Sequence, residues 1–228
     1  MTEERHIEVD LPGVEVSIRV ETAREPRAFC VLAHGAGAGM DHPFMETMAH
    51  TLVGQGISTM RFNFPFMDRG GFPPDPLPVL LASARAVLSY GVREANGLPL
   101  FVCGKSLGGR VLSLSVSETH CPGLRGFIFL GYPLHSPKTF GSAKGDHLLQ
   151  QSLPQLFLSG SRDKLAHMDI LRPFVESIGP HATLVCMEGA DHGFGYRKID
   201  VSPSAPITEV LSEESVTWID EVLSGVRS

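Results

Sequence analysis

Apolar and polar positions follow two different periods along this 228-residue chain. From Val14 to Val20 every second residue is apolar (Val14, Val16, Ile18, Val20), which predicts an outer antiparallel strand with one wet face. Ala28–Ala33 is apolar at every position, as in a central strand covered by helices on both sides. Further strand-like runs are Ile57–Phe62, Leu100–Cys103, Gly126–Leu130, Gln155–Leu158 and Thr183–Met187. Between them, helical spacing predicts helices near Pro43–Gly54, Leu77–Glu94, Leu107–Glu118, Ala166–Ile178 and Ile207–Leu223. Strands and helices alternate with no repeat, linker or low-complexity segment. One α/β domain over residues 1–228 is expected, with a mostly parallel central sheet and helices on both faces. In such sheets reactive groups collect at the carboxyl ends of the strands.

The segment after Leu100–Cys103 carries the strongest chemical signal. Gly104-Lys105-Ser106-Leu107-Gly108 spells G-x-S-x-G, with Gly109 and a helical pattern behind it. Strand, tight turn and helix are the context of a nucleophile elbow, in which a strained turn lifts a serine hydroxyl above the sheet. The serine then stands at a helix N-terminus, whose amides favour negative charge. A phosphate-binding P-loop is excluded, because that motif needs glycine at position 99, where the chain has Pro99.

A serine hydroxyl needs a base, and the base needs an acid to orient it. The strand Gln155–Leu158 is followed by Ser159-Gly160-Ser161-Arg162-Asp163, and Thr183–Met187 by Glu188-Gly189-Ala190-Asp191-His192-Gly193. Asp163 and His192 thus stand just past strand ends, in the chain order Ser, Asp, His. Competing acids are less well placed: Asp191 adjoins His192 and points elsewhere, Asp169 belongs to a helix, and Asp68 and Asp75 precede the elbow. The strand ending at Ala33 runs into His34-Gly35-Ala36-Gly37-Ala38-Gly39. Such a loop can aim backbone amides into a cleft, so the oxyanion donors are assigned to Ala36 and Leu107, with Gly37 as substitute for Ala36. A dinucleotide loop is excluded because Met40 occupies the third glycine position. His34 itself reads as an anchor of this loop rather than a base.

His34-Gly35-Ala36, Arg61-Phe62-Asn63-Phe64-Pro65, Gly104–Arg110 and Gly131-Tyr132-Pro133-Leu134-His135 together resemble the α/β-hydrolase superfamily. Within it they are similar to bacterial predicted hydrolases related to testis-expressed α/β-hydrolase-like proteins and to a subunit of the non-specific-lethal acetyltransferase complex. That group lies near the dienelactone-hydrolase-like branch. The resemblance spans nearly the whole chain and implies a triad of Ser106, Asp163 and His192. Dienelactone hydrolases carry cysteine where this chain has Ser106, a departure that argues against their lactone substrates. The expected activity is a serine hydrolase of the carboxylesterase or thioesterase kind, acting on a small acyl substrate. The alternatives are a small amide or peptide hydrolase with the same triad, or a non-catalytic interaction module.

About two dozen residues separate Leu130 from Gln155, too few for a lid domain, so an open cleft is expected. Tyr132 and His135, which follow a strand end, and Phe64 and Phe66, in a turn-rich loop, are candidate substrate-lining residues together with Gly37. Lys105 is expected to pair with a neighbouring carboxylate. With 19 Lys and Arg against 25 Asp and Glu, the net charge is −6, which disfavours nucleic acid and anionic membranes as partners. The polar, acidic start of the chain does not resemble a signal peptide, and no apolar run approaches a bilayer span. Cys30, Cys103 and Cys186 read as buried thiols and Cys121 as a loop residue, which suits a reduced, cytoplasmic setting. No Cys/His cluster or cofactor motif is present, so neither metal nor cofactor is expected.

Overall fold

Alternate residues of a strand point to opposite faces of the sheet, so a strand that is apolar throughout needs cover on both. β3 (Ala28–Ala33) shows this directly: Cys30 and Leu32 enter one core, while Phe29, Val31 and Ala33 enter the other. The computed structural model describes residues 2–227 other than Pro137 and Thr139. Its remaining strands are β1 (Thr2–Glu8), β2 (Glu15–Glu21), β4 (Ile57–Phe62), β5 (Leu100–Lys105), β6 (Leu124–Leu130), β7 (Gln155–Gly160) and β8 (Ala182–Met187). They form one eight-stranded sheet in the order β1-β2-β4-β3-β5-β6-β7-β8. β2 runs antiparallel to β1 and to β4, and every other neighbouring pair is parallel.

Helices cover both faces. α1 (Pro43–Gly54) and α6 (Ile207–Leu223) bury Met48, Leu52, Trp218 and Ile219 against Leu32, Phe101 and Ile128. α3 (Leu77–Ala95), α4 (Leu107–Glu118) and α5 (Met168–Ile178) close the opposite core, where Val87, Leu112 and Phe174 join Val31, Val102 and Phe129. A four-residue α2 (Pro65–Asp68) follows β4, and a 3-10 helix spans Ala143–Gln150 between β6 and β7. That 3-10 segment stands where a lid would be inserted; the described residues form no extra domain over the sheet. No helix among the described residues is long and apolar enough to cross a membrane.

Two expectations about the sheet need correction. Val14–Val20 was expected to lie at the sheet's edge, but Thr2–Glu8 adds a further strand outside it. β1 has little apolar alternation; its ladder with β2 buries Ile7, and Glu4 and Arg19 face one another in register, with Arg19 Nη2 2.6 Å from the Glu4 carboxylate. A charged outer strand also discourages pairing with other chains. Cys186, expected to be buried, is only half-buried, because β8 forms the opposite edge of the sheet. α5 starts at Met168, two residues later than predicted, because Asp163 Oδ1 and His135 Nε2 accept the backbone N–H groups of Leu165 and His167.

Candidate active site

Ser106 occupies the turn between β5 and α4 with φ 49° and ψ −114°, a conformation that costs a non-glycine residue of order 1–3 kcal/mol. The flanking glycines show why the turn closes so tightly. A Cβ on Gly104 would stand 2.2 Å from Gly109, and one on Gly108 would stand 2.6 Å from the His34 carbonyl. β5 and α4 therefore approach backbone to backbone, and the serine between them is pushed above the sheet.

Two loops from the far side of the sheet reach this serine. Asp163, fully buried after β7, accepts from His192 Nδ1 through Oδ2 at 2.8 Å, and His192 Nε2 lies 2.8 Å from Ser106 Oγ. The other Asp163 oxygen accepts from the Leu165 N–H at 2.7 Å, which fixes the plane of the carboxylate. The two loops are also stitched to each other. Arg162 donates to the Gly189 carbonyl and to Asp200, and Ser161 Oγ links Glu188 to the Gly189 N–H. Asp191 accepts from the N–H groups of Gly193 and Gly195, so it shapes the histidine loop, and the imidazole takes Asp163 as its carboxylate partner.

Residues 26–220 match the alpha/beta hydrolase domain family. The chain belongs to the alpha/beta hydrolases. An alpha-beta serine hydrolase homologue from Coxiella burnetii superposes with a TM-score of 0.73 at 20% identity, covering 93% of this chain and 96% of that one. An a/b serine hydrolase without lid from Xanthomonas campestris gives 0.71 at 18% identity, covering 95% of each chain. The dienelactone hydrolase of Anabaena variabilis gives 0.71 at 16% identity, covering 96% of this chain and 98% of that one. At these identities the likeness is one of fold.

The cleft above Ser106 measures about 400 Å³ and is mostly apolar. Ala36, Gly37, Phe44, Met45 and Leu165 line it beside Lys105, Ser106 and His192. Gly37 is thus on the wall, as expected. The other four candidate lining residues are not. Phe64 and Phe66 are buried with His34 and Phe62 in an aromatic cluster, because their loop and α2 are tied to β2, with the Ser17 N–H donating to Asp68 Oδ2. Tyr132 packs edge-on to Phe129, and its hydroxyl donates to the Lys144 carbonyl. His135 is buried as an acceptor for the His167 N–H. The residues that do form the wall, Phe44 and Met45, open α1, whose first turn faces the cleft. Their position directly after the glycine loop was the available sequence signal.

The glycine loop is fastened from below. His34 Nε2 accepts the Phe64 N–H at 3.0 Å, so its proton sits on Nδ1 and is donated to the Gly35 carbonyl at 2.6 Å. Burial drives the His34 pKa down to about 4, which keeps the ring neutral. Further along, Asn63 Oδ1 accepts the Met40 N–H, and Arg61 donates to the Met40 carbonyl while paired with buried Glu21 at 2.5 Å. Lys105 departs from its expected pairing. Its Nζ donates to the backbone carbonyl of His192 at 2.5 Å rather than to a carboxylate. Among the described residues, no three His, Cys, Asp or Glu side chains converge as metal ligands.

Proposed function

We propose that this protein is a serine hydrolase that cleaves a small carboxylic ester or thioester through an acyl-enzyme on Ser106. One observation carries the assignment: an unbroken hydrogen-bonded line from buried Asp163 through His192 to Ser106 Oγ, with both links 2.8 Å. His192 Nε2 takes the serine proton as Oγ attacks the acyl carbon. Asp163 holds the imidazole in the Nδ1–H tautomer and stabilises the charge it gains. The backbone N–H groups of Ala36 and Leu107 serve the oxyanion, each donor contributing about 3–4 kcal/mol to the transition state. The alcohol or thiol leaves with the proton from His192. Water, deprotonated by the same histidine, then releases the acid and restores Ser106.

The apolar wall of Phe44, Met45 and Leu165 and the cleft of about 400 Å³ support a short, apolar acyl or alcohol part. The similar folds include a serine hydrolase homologue from Coxiella and a serine hydrolase from Xanthomonas, which supports the same chemistry. A fluorophosphonate probe should label the native protein at Ser106, and Ser106→Ala should abolish both labelling and turnover of short-chain nitrophenyl esters. Labelling that survives the substitution would overturn the assignment.

A further inference from the structure

Acyl transfer by Ser106, His192 and Asp163 leaves the lysine inside the serine motif without a task. Lys105 ends β5 immediately before Ser106, and its Nζ donates to the His192 carbonyl at 2.5 Å. The same ammonium lies 5.1 Å from the centroid of the Phe194 ring, two residues further along the histidine loop. Gly131 makes the space: it has φ 66° just past β6, and a Cβ there would stand 3.3 Å from both Lys105 Nζ and the His192 carbonyl oxygen. The ends of β5 and β6 and the loop after β8 therefore meet around one ammonium.

We propose that Lys105 is a positioning residue that pins the main chain of His192 so that its imidazole stays aimed at Ser106. The proposal rests on the hydrolase assignment above. Residues 105 and 106 then grip His192 at two separate points, the carbonyl through Lys105 and the ring through Ser106 Oγ. A histidine held only by its ring can tilt about its own backbone, and the direction of Nε2 tilts with it. Held at both ends, it keeps one bearing, and misplacement by about 1 Å can cost on the order of 100-fold in rate. A charge-assisted N–H···O bond is the stiffer choice for this purpose. It is also costly: burial lowers the Lys105 pKa to about 8, against the pull of the Asp163 and Asp191 carboxylates. The charged groups acting on the ammonium are those two carboxylates, and the His192 ring lies beside it at Gly131, where a Cβ would stand 3.4 Å from His192 Cε1; all three come from the loops after β7 and β8. A tie kept only for stability would gain nothing from a desolvated charge, since a neutral donor bonds a carbonyl with less desolvation.

The test is the rate at which a fluorophosphonate labels Ser106 in purified protein. Lys105→Met keeps the volume and the contact with Phe194 but cannot donate. It should label about 10- to 100-fold more slowly, with KM for a nitrophenyl ester changed less than about threefold and a melting temperature no lower than the parent's. The parent's labelling rate should decline as pH rises through about 8, where the ammonium loses its charge, and that decline should be absent from Lys105→Met. Lys105→Met labelling within twofold of the parent overturns the proposal, as does a slower rate accompanied by a lower melting temperature. Should Lys105→Met fail to fold, Lys105→Arg and Lys105→Gln carry the same test. The cationic variant must label faster than the neutral one, and equal rates overturn the proposal. A parent protein that is not labelled at Ser106 at all refutes the hydrolase assignment instead.

Discussion

His34 follows β3 and His192 follows β8, and in both loops each ring nitrogen has a partner. At His34 the partners are a backbone carbonyl and a backbone N–H, and the side chain is entirely excluded from solvent. At His192 they are a carboxylate and a serine hydroxyl, and about a quarter of the side chain remains exposed. A carbonyl accepts the Nδ1 proton but offers little to a charged ring, so burial decides and His34 stays neutral. A carboxylate in the same place would compensate the charge that the proposed mechanism gives His192. Under the proposed function, one residue type thus yields an anchor or a base according to what faces Nδ1.

The contrast can be broken at either histidine. His192→Ala should produce the largest effect, a loss of about 10⁵–10⁶ in kcat for ester hydrolysis, with an unchanged circular dichroism spectrum. Asp163→Asn keeps the shape but turns the partner of Nδ1 from a pure acceptor into one that favours the wrong tautomer. It should cost about 10⁴ in kcat, and a loss under tenfold would mean that the carboxylate is not what distinguishes the two histidines. At His34 the effect should appear in stability. Its folded pKa of about 4 lies below the unfolded value of about 6.5, so between these pH values the unfolded chain binds more protons. Stability is therefore fully present above about pH 6.5 and declines as pH falls toward 4, by about 3 kcal/mol from this group. Urea titrations at pH 7 and pH 4.5 should show a smaller difference for His34→Gln than for the parent, with the remaining slope belonging to other groups such as the buried-leaning His147.

Much of this arrangement is legible in the sequence. The strands at Ala28–Ala33 and Ile57–Phe62 and the helices at Pro43–Gly54, Leu107–Glu118 and Ile207–Leu223 have the predicted bounds, because their apolar periodicity reports burial directly. The first strand was not legible. Its ion pairs run from Glu4 to Arg19 on β2 and from Arg5 to Glu94 on α3, and such pairs leave no apolar trace. The cleft wall was misread for a related reason. Phe64 and Phe66 look like Phe44 in sequence, and only the fold of α2 turns the first two under His34 while α1 leaves the third facing the cleft.

The sequence by itself determined the strand–helix alternation, the tight turn at Ser106 and the placement of an aspartate and a histidine just past strand ends. These follow from rules that act over a few residues: side-chain periodicity, the lack of a Cβ on Gly104 and Gly108, and chain order. Only the tertiary structure decided which groups meet. It brought Asp163, His192 and Ser106 within hydrogen-bond reach, set Lys105 against the His192 carbonyl, and sent Tyr132 and His135 into packing rather than to the cleft. Each of those contacts joins residues 12 to 87 positions apart. Such contacts depend on how the sheet's crossovers stack, and no local pattern along the chain encodes that distance.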